Sequence, residues 1–228
     1  MKNWNMTITG VDCPSNKSVD ADVLFRMFLN NLKDGGHEIT HALFTCGQAD
    51  AATPPAVAMS APPAIGDSFG GGFFAGEMTV AGQLYALVVA PKADGEKMEL
   101  EYRSSGSGPD GSSSDYDGLA NSETLDNSNY PAAQFCRSLK IGGFDDWYLP
   151  SRDELAMICR NLGPNRDTTP DLFKSGNSEA FKDAWYWSST ENASYSNYAW
   201  IVGFYDGGQG FNNKFTINGV RAVRRIKL

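Results

Sequence analysis

Apolar positions fall in two rhythms along this chain, and the changes of rhythm mark its elements. After Ser18, the acids Asp20 and Asp22 precede Val23, Leu24, Met27, Phe28 and Leu32 at helical spacing, and Gly35-Gly36 ends the run. Residues 77–80 and 83–90 alternate with period two instead, joined by Ala81-Gly82, so a β-hairpin is expected there. Leu84, Ala86 and Val88 interleave with Tyr85, Leu87 and Val89. Both faces of that strand are apolar, which places it inside a sheet until Pro91 ends it.

Helical spacing returns after Asn129-Tyr130-Pro131, with Pro in the first turn, Ala132, Phe135, Cys136 and Leu139 on one face, and Gly142-Gly143 as the stop. Ser151-Arg152-Asp153-Glu154 is a capping box, in which Ser151 and Glu154 satisfy each other's free backbone donors before Leu155, Ile158 and Leu162 carry the helix inward. From Trp185 onward short strands are predicted at 186–189, 199–204, 214–217 and 219–226, with Asp206-Gly207 and Asn218-Gly219 as turns.

Two stretches have no such rhythm. Residues 49–63 are rich in Ala and Pro and read as a semi-extended linker. They divide an attachment or oligomerisation segment, 1–68, from a larger domain, 69–228. Residues 104–129 are crowded with Ser, Gly, Asp and Asn and form a surface loop. Asp110, Asp115, Asp117, Glu123 and Asp126 keep calcium open in that loop, although their spacing is not that of an EF-hand.

Composition sharpens the picture at the C-terminal end. A fifth of the chain is charged, yet between residues 192 and 220 only Asp206 and Lys214 carry charge among Asn, Ser, Tyr, Gly and Phe. Rigid aromatics with small polar neighbours suit a recognition surface, and a glycine-rich series of hairpin loops draws on the same residues. The net charge of −8 opposes nucleic acid and anionic membranes. Arg221, Arg224, Arg225 and Lys227 are a local exception; strand alternation puts Arg221 and Arg225 on one face and Arg224 on the other, which favours a structural role. No apolar run reaches membrane-spanning length and no signal-peptide pattern opens the sequence, so synthesis and folding in the cytoplasm are expected. Cys13, Cys46, Cys136 and Cys159 lack close pairing and read as buried thiols rather than a disulfide framework or a zinc site.

His37-Glu38-Ile39-Thr40-His41 matches the H-E-x-x-H pattern of zinc hydrolases. It follows a glycine pair that ends a helix, and its neighbours suit a strand, which would hold the two histidines about 13 Å apart. The pattern therefore lacks its helical context. No Ser-His-Asp arrangement is recognisable, and Gly70-Gly71-Gly72 lacks the Lys of a phosphate loop.

Five short motifs occur in one order: Ala133-Gln134-Phe135-Cys136, Trp147-Tyr148-Leu149-Pro150-Ser151-Arg152-Asp153-Glu154-Leu155, Tyr186-Trp187-Ser188-Ser189-Thr190-Glu191, Ala199-Trp200 and Val220-Arg221-Ala222-Val223-Arg224. Together they resemble the C-type-lectin-like domain at the end of a collagen-like bacterial adhesin. They are more similar still to the variable proteins of diversity-generating retroelements, many of them phage tail proteins. The likeness covers about residues 70–228. It implies an α+β chain with a C-type lectin-like fold of the formylglycine-generating-enzyme type, preceded by a small N-terminal domain.

In that family a retroelement rewrites adenine-rich codons, and the altered residues form a receptor-binding face on a constant scaffold. The matching residue types here are Asn192, Ser194, Tyr195, Ser196, Asn197, Tyr198, Ile201, Gly203, Tyr205, Asp206, Gln209, Phe211, Asn212, Asn213, Thr216 and Asn218, within a face at 192–218. Gln209 does not fit simple adenine rewriting. Trp187, Ser188, Thr190, Trp200, Phe204, Arg221 and Arg224 are the framework. The chain lacks the Glu-Pro-Asn, Gln-Pro-Asp and Trp-Asn-Asp motifs with which sugar-binding relatives hold calcium, and its cysteines are not placed like an oxidase's reactive thiols. The resemblance thus implies a non-enzymatic binder with no cofactor, whose partner is a bacterial surface protein or glycan. It also implies a virion location after cytoplasmic assembly, with a homo-oligomer such as a trimer raising avidity. A bacterial surface adhesin of the same fold is the alternative, and a zinc hydrolase using His37, Glu38 and His41 a further one.

Overall fold

A computed structural model describes residues 63–228. The helix expected after Ser18, the Ala/Pro linker expected up to residue 62, His37, Glu38, His41, Cys13 and Cys46 lie outside them. The described residues form two sheets and short helices, a mixed α+β architecture compatible with a lectin-like domain.

The first sheet opens with the short strand β1 (Ser68–Phe69), then β2 (Gly72–Val80) and β3 (Gln83–Val89). The β2–β3 turn is the expected Ala81-Gly82 pair, both residues at positive φ (49° and 80°), as a two-residue hairpin requires. β2 begins earlier than its alternation suggests, because a bulge between Phe74 and Gly76 breaks the period while pairing continues. Helix α1 (Lys92–Gly95) leads to β4 (Glu96–Glu101). After the long loop come α2 (Gly118–Thr124), α3 (Pro131–Arg137) and α4 (Arg152–Leu162). The final strands are β5 (Trp185–Glu191), β6 (Tyr198–Gly203), β7 (Gln209–Asn213), β8 (Ile217–Arg221) and β9 (Val223–Lys227).

Strand order is β1-β2-β3-β9 in one sheet and β4-β8-β5-β6-β7 in the other. Residue Val223 pairs with Val89 and Lys227 with Tyr85, so the last strand closes against the first hairpin. Between β8 and β9 the chain changes sheets at Ala222. The single strand expected over 219–226 is therefore two, and Asn218-Gly219 lies inside β8 rather than in a turn. Gly219 has no room for a side chain, since a Cβ would stand 2.9 Å from both Met98 Cε and Tyr186 Cε1. Likewise 214–217 is mostly a turn, with Thr216 N–H donating to Asn213 O over 2.8 Å. Gly142-Gly143 does not stop α3, which ends at Arg137; the pair forms the tight turn that lets Ile141 and Phe144 bond each other.

Alternation along the central strands builds two cores. Trp187 and Ile201 enter one cluster with Tyr102, Trp147 and Val220, while Tyr186 and Val202 enter another with Leu155, Ile158, Phe181 and Phe204. Helix α4 covers the second cluster. Its capping box is formed as the sequence predicts, with Ser151 N–H donating to Glu154 Oε2 over 2.7 Å and Glu154 N–H to Ser151 Oγ over 3.3 Å. Gly118 lies directly against this cap: a Cβ there would collide with Glu154 Oε2 and Ser151 N. Gly118→Ala should therefore cost about 1–3 kcal/mol through overpacking, read as a lowered urea midpoint.

The three arginines near the C-terminus are fasteners. Arg221, almost fully buried, donates through Nε to Ala90 O over 2.9 Å and through Nη1 to Glu179 O over 2.7 Å, and Nη2 pairs with Glu179 Oε2. Arg224 forks onto Asp146 (2.6 and 2.9 Å) and lies 3.7 Å from the Phe144 ring centroid. Arg225 pairs with Asp117 at 2.9 Å and covers Tyr85. Each ties a different loop to the closing strands, and the change of sheet at Ala222 separates Arg221 from the other two.

Candidate binding face

Strand alternation decides what β6 and β7 show to solvent. The pairs Tyr198↔Asn213, Trp200↔Phe211 and Val202↔Gln209 share one face; Ala199↔Asn212 and Ile201↔Gly210 share the other. On the first face α4 covers Val202, and its first residue Arg152 lies 4.9 Å over the Trp200 ring. Arg152 is held there by Asp115 at 3.0 Å and Asp153 at 3.2 Å. Beyond Arg152 the strand face is open.

Four aromatic side chains fill that opening. Tyr195 stacks on Phe211 with centroids 5.7 Å apart and planes at 26°. Tyr198 and Trp200 meet Phe211 edge-on at 5.7 and 5.9 Å. Tyr195 is 57% exposed and Phe211 46%, which is unusual for side chains whose burial would be favourable. Trp200, read from sequence as framework, is half-exposed and belongs to this patch; the other framework residues Trp187, Ser188, Thr190, Phe204, Arg221 and Arg224 are buried.

Short side chains shape the loop that presents Tyr195. Asn192 Oδ1 accepts from Ser194 N–H at 2.9 Å and Tyr195 N–H at 3.1 Å, and Asn192 N–H donates to Tyr198 O at 2.8 Å. The turn is thus closed by its own first residue. Asn197 turns its Oδ1 towards Arg103 Nη2 at 3.2 Å. Beneath the turn Lys214 Nζ donates to Ser196 O at 2.7 Å.

The sixteen residues read as a single face do not come together as one. Asn192, Ile201, Gly203 and Asn218 are buried: Ile201 belongs to the core because its position on β6 points inward, and Asn218 lies within β8 with Nδ2 lacking a hydrogen-bond partner. Ser194, Tyr195, Ser196, Asn197, Tyr198, Phe211, Asn213 and Thr216 gather towards the start of β6, with Asn212 on the opposite strand face, while Gln209 shares the Tyr198 face but pairs with Val202 at the far end of β6. Tyr205 and Asp206 stand at the β6–β7 turn, about 16 Å away at strand rise. There Asp206 Oδ1 accepts from Gly208 N–H at 2.8 Å, and that bond, with one from the Tyr205 hydroxyl, holds the Asp206 carboxyl below the usual range. This turn and Gly163, Asn165 and Arg166 together line a cavity of about 230 Å³, beside which Asn165 Nδ2 donates to Tyr205 O at 3.3 Å.

Exposed Trp185, Phe215 and Ile217 escaped the sequence reading. Trp185 lies over Gly203 and Gly210 on the face opposite the aromatic patch, and only the strand pairing Trp185↔Gly203 reveals this. A tryptophan paired with glycine cross-strand, once the register is known, is the signal that was available.

The acidic loop is engaged elsewhere. Asp110 meets Arg103 and Lys214, Asp115 meets Arg152, Asp117 caps α2 and meets Arg225, and Asp126 accepts from Gln134. Among the described residues no three His, Cys, Asp or Glu side chains gather in metal-ligating geometry. Cys136 and Cys159 are free and buried, and burial raises both thiols above their ordinary pKa, which disfavours the nucleophilic thiolate.

A family model described as the Lcl C-terminal domain matches residues 103–224, more than half of the chain. The matched span holds the acidic loop, helices α2 to α4 and all of β5 to β8. No curated protein matches.

Proposed function

The chain belongs to the Lcl C-terminal domain family, whose members are lectin-like binding domains, and on that premise we propose that it is a receptor-binding protein displaying a diversifiable surface. The observation that carries this reading is the mutually packed patch of exposed Tyr195 and Phe211 with half-buried Tyr198 and Trp200. Packed aromatics lose little entropy on binding and supply large contact area, while surrounding Ser and Asn residues adapt their hydrogen bonds. The partner is a bacterial surface protein or glycan, and the role is attachment of a phage tail to its host. A bacterial adhesin would use the same patch.

In this reading the fold is of the formylglycine-generating-enzyme type without that enzyme's chemistry. The N-terminal segment attaches or oligomerises the binding domain, and several copies compensate for weak single contacts. The exposed positions between 194 and 216 change between clonal isolates while the buried ones stay constant.

Labelled protein applied to a panel of intact bacterial strains identifies a bound strain. The Tyr195→Ala, Tyr198→Ala, Phe211→Ala triple variant should then lose affinity by at least about 100-fold, with unchanged circular dichroism. Retained affinity in a folded triple variant moves binding away from this patch. Sequencing clonal isolates tests diversification separately: substitutions scattered through the whole gene contradict it.

A further inference from the structure

We infer that Lys214 is a positioning residue for the binding face, a built-in cation shared by three segments. The inference rests on the proposed binding role of the patch above it. Of the two charged residues between 192 and 220, Asp206 is exposed and Lys214 is fully buried. A buried lysine persists where its three ammonium protons all find acceptors.

Here they do. Lys214 Nζ stands 2.5 Å from Asp110 Oδ2, 2.7 Å from Ser196 O and 3.1 Å from Glu191 Oε2. Those acceptors come from three segments: the acidic loop, the turn before β6 and the last residue of β5. The backbone repeats the tie, with Lys214 N–H donating to Asn197 O at 2.9 Å and Arg103 N–H to Lys214 O at 3.0 Å. Arg103, also buried, binds Asp110 Oδ1 at 2.7 Å and Gly108 O at 2.9 Å. Glu191 in turn accepts from Asp110 N–H at 2.8 Å and Gly111 N–H at 2.9 Å. Two cations and two carboxylates thus cancel in a buried cluster.

This cluster sits directly under the displayed aromatics. Ser196 lies between Tyr195 and Tyr198 in the turn, and Phe211, on which Tyr195 stacks, precedes Lys214 on the same strand and turn. The fastening uses a backbone carbonyl and buried carboxylates, none of them an exposed side chain of the patch. Outer side chains can therefore change while the ammonium still holds the loops in place. Removing the charge leaves two buried carboxylates facing one cation, and the cheapest relief is for the loops to open and hydrate them.

Amide hydrogen exchange on the full chain reads this without any ligand. Lys214→Met keeps the stem and removes the charge; residues 104–112 and 192–198 should exchange about 100-fold faster while β2, β3 and β9 keep their protection. Unchanged protection in both segments overturns the inference. If the Met variant fails to fold, Lys214→Met with Glu191→Gln restores charge balance but not the ammonium hydrogen bonds to Asp110 and Ser196 O, so both segments should still exchange faster, by a smaller factor; unchanged protection overturns the inference. In Lys214→Ala, propylammonium chloride should restore at least about tenfold protection where sodium chloride at equal ionic strength does not. Rescue by neither salt, or equally by both, means that a seated ammonium is not what orders the loops. Failure here leaves the binding reading standing, and failure of the aromatic variant to lose cell binding leaves the exchange result intact.

Discussion

Replacing Arg221 by Ala should cost about 3–5 kcal/mol, the range for removing one partner of a buried ion pair. The guanidinium holds Glu179 by side chain and backbone, approaches Glu96 Oε2 at 3.8 Å, and stacks 4.6 Å from the Phe181 ring centroid. Its loss leaves the Glu179 carboxylate without its cation and Glu96 with only Lys92, 4.0 Å away, and frees the segment carrying Phe173 and Phe181 from β8. Native domains are stable by only about 5–15 kcal/mol, so calorimetry should show a fall in melting temperature of about 6–20 °C. Lys at this position restores the charge but not the planar fork, and should recover only part of the loss. A variant that melts within a degree or two of the parent refutes the fastening role.

The second large effect is a pH dependence set by Glu154. This carboxyl is fully buried, and desolvation raises its pKa from 4.5 to about 7, even though Ser151 N–H and the Tyr148 hydroxyl donate to it. Because the folded state keeps its proton where the unfolded chain has lost it, the contribution is complete below about pH 4.5. It declines as pH rises towards 7. The integrated change is on the order of 3 kcal/mol. Urea unfolding between pH 5 and 8 should show the decline, and Glu154→Gln, which can still accept from Ser151 N–H, should flatten it. Equal slopes in parent and variant would assign the pH dependence to other groups.

Glu154 also shows how much of the protein can be read before its fold is known. The capping box follows from four adjacent residues, because the bonds it makes are local. The hairpin at Ala81-Gly82 and the helix start at Pro131 are legible for the same reason, whereas the framework role of Trp187 and Arg221 follows from the family resemblance. The buried pKa is not local: it requires the burial of Glu154, with Tyr148 and the missing Cβ of Gly118 packed against it.

The binding face divides in the same way. Composition alone marks 192–218 as unlike the rest of the chain, since rigid aromatics and small amides with almost no charge are a local property. Which of those residues face outward depends on pairing across strands. The register of β6 against β7 turns Tyr198, Trp200 and Phe211 to one side, sends Ile201 into the core and moves Tyr205 to a distant turn. Lys214 is the sharpest case. In sequence it is a lone charge in a polar stretch, indistinguishable from a solvated surface residue. Only the meeting of Asp110, Glu191 and Ser196, brought together from separate segments, makes it the buried cation beneath the face. The sequence by itself therefore determined the family, the capped helix and the stretch whose composition sets it apart as the proposed binder. Tertiary structure decided which side chains of that stretch are available, because side-chain direction in a sheet is settled by its partner strands.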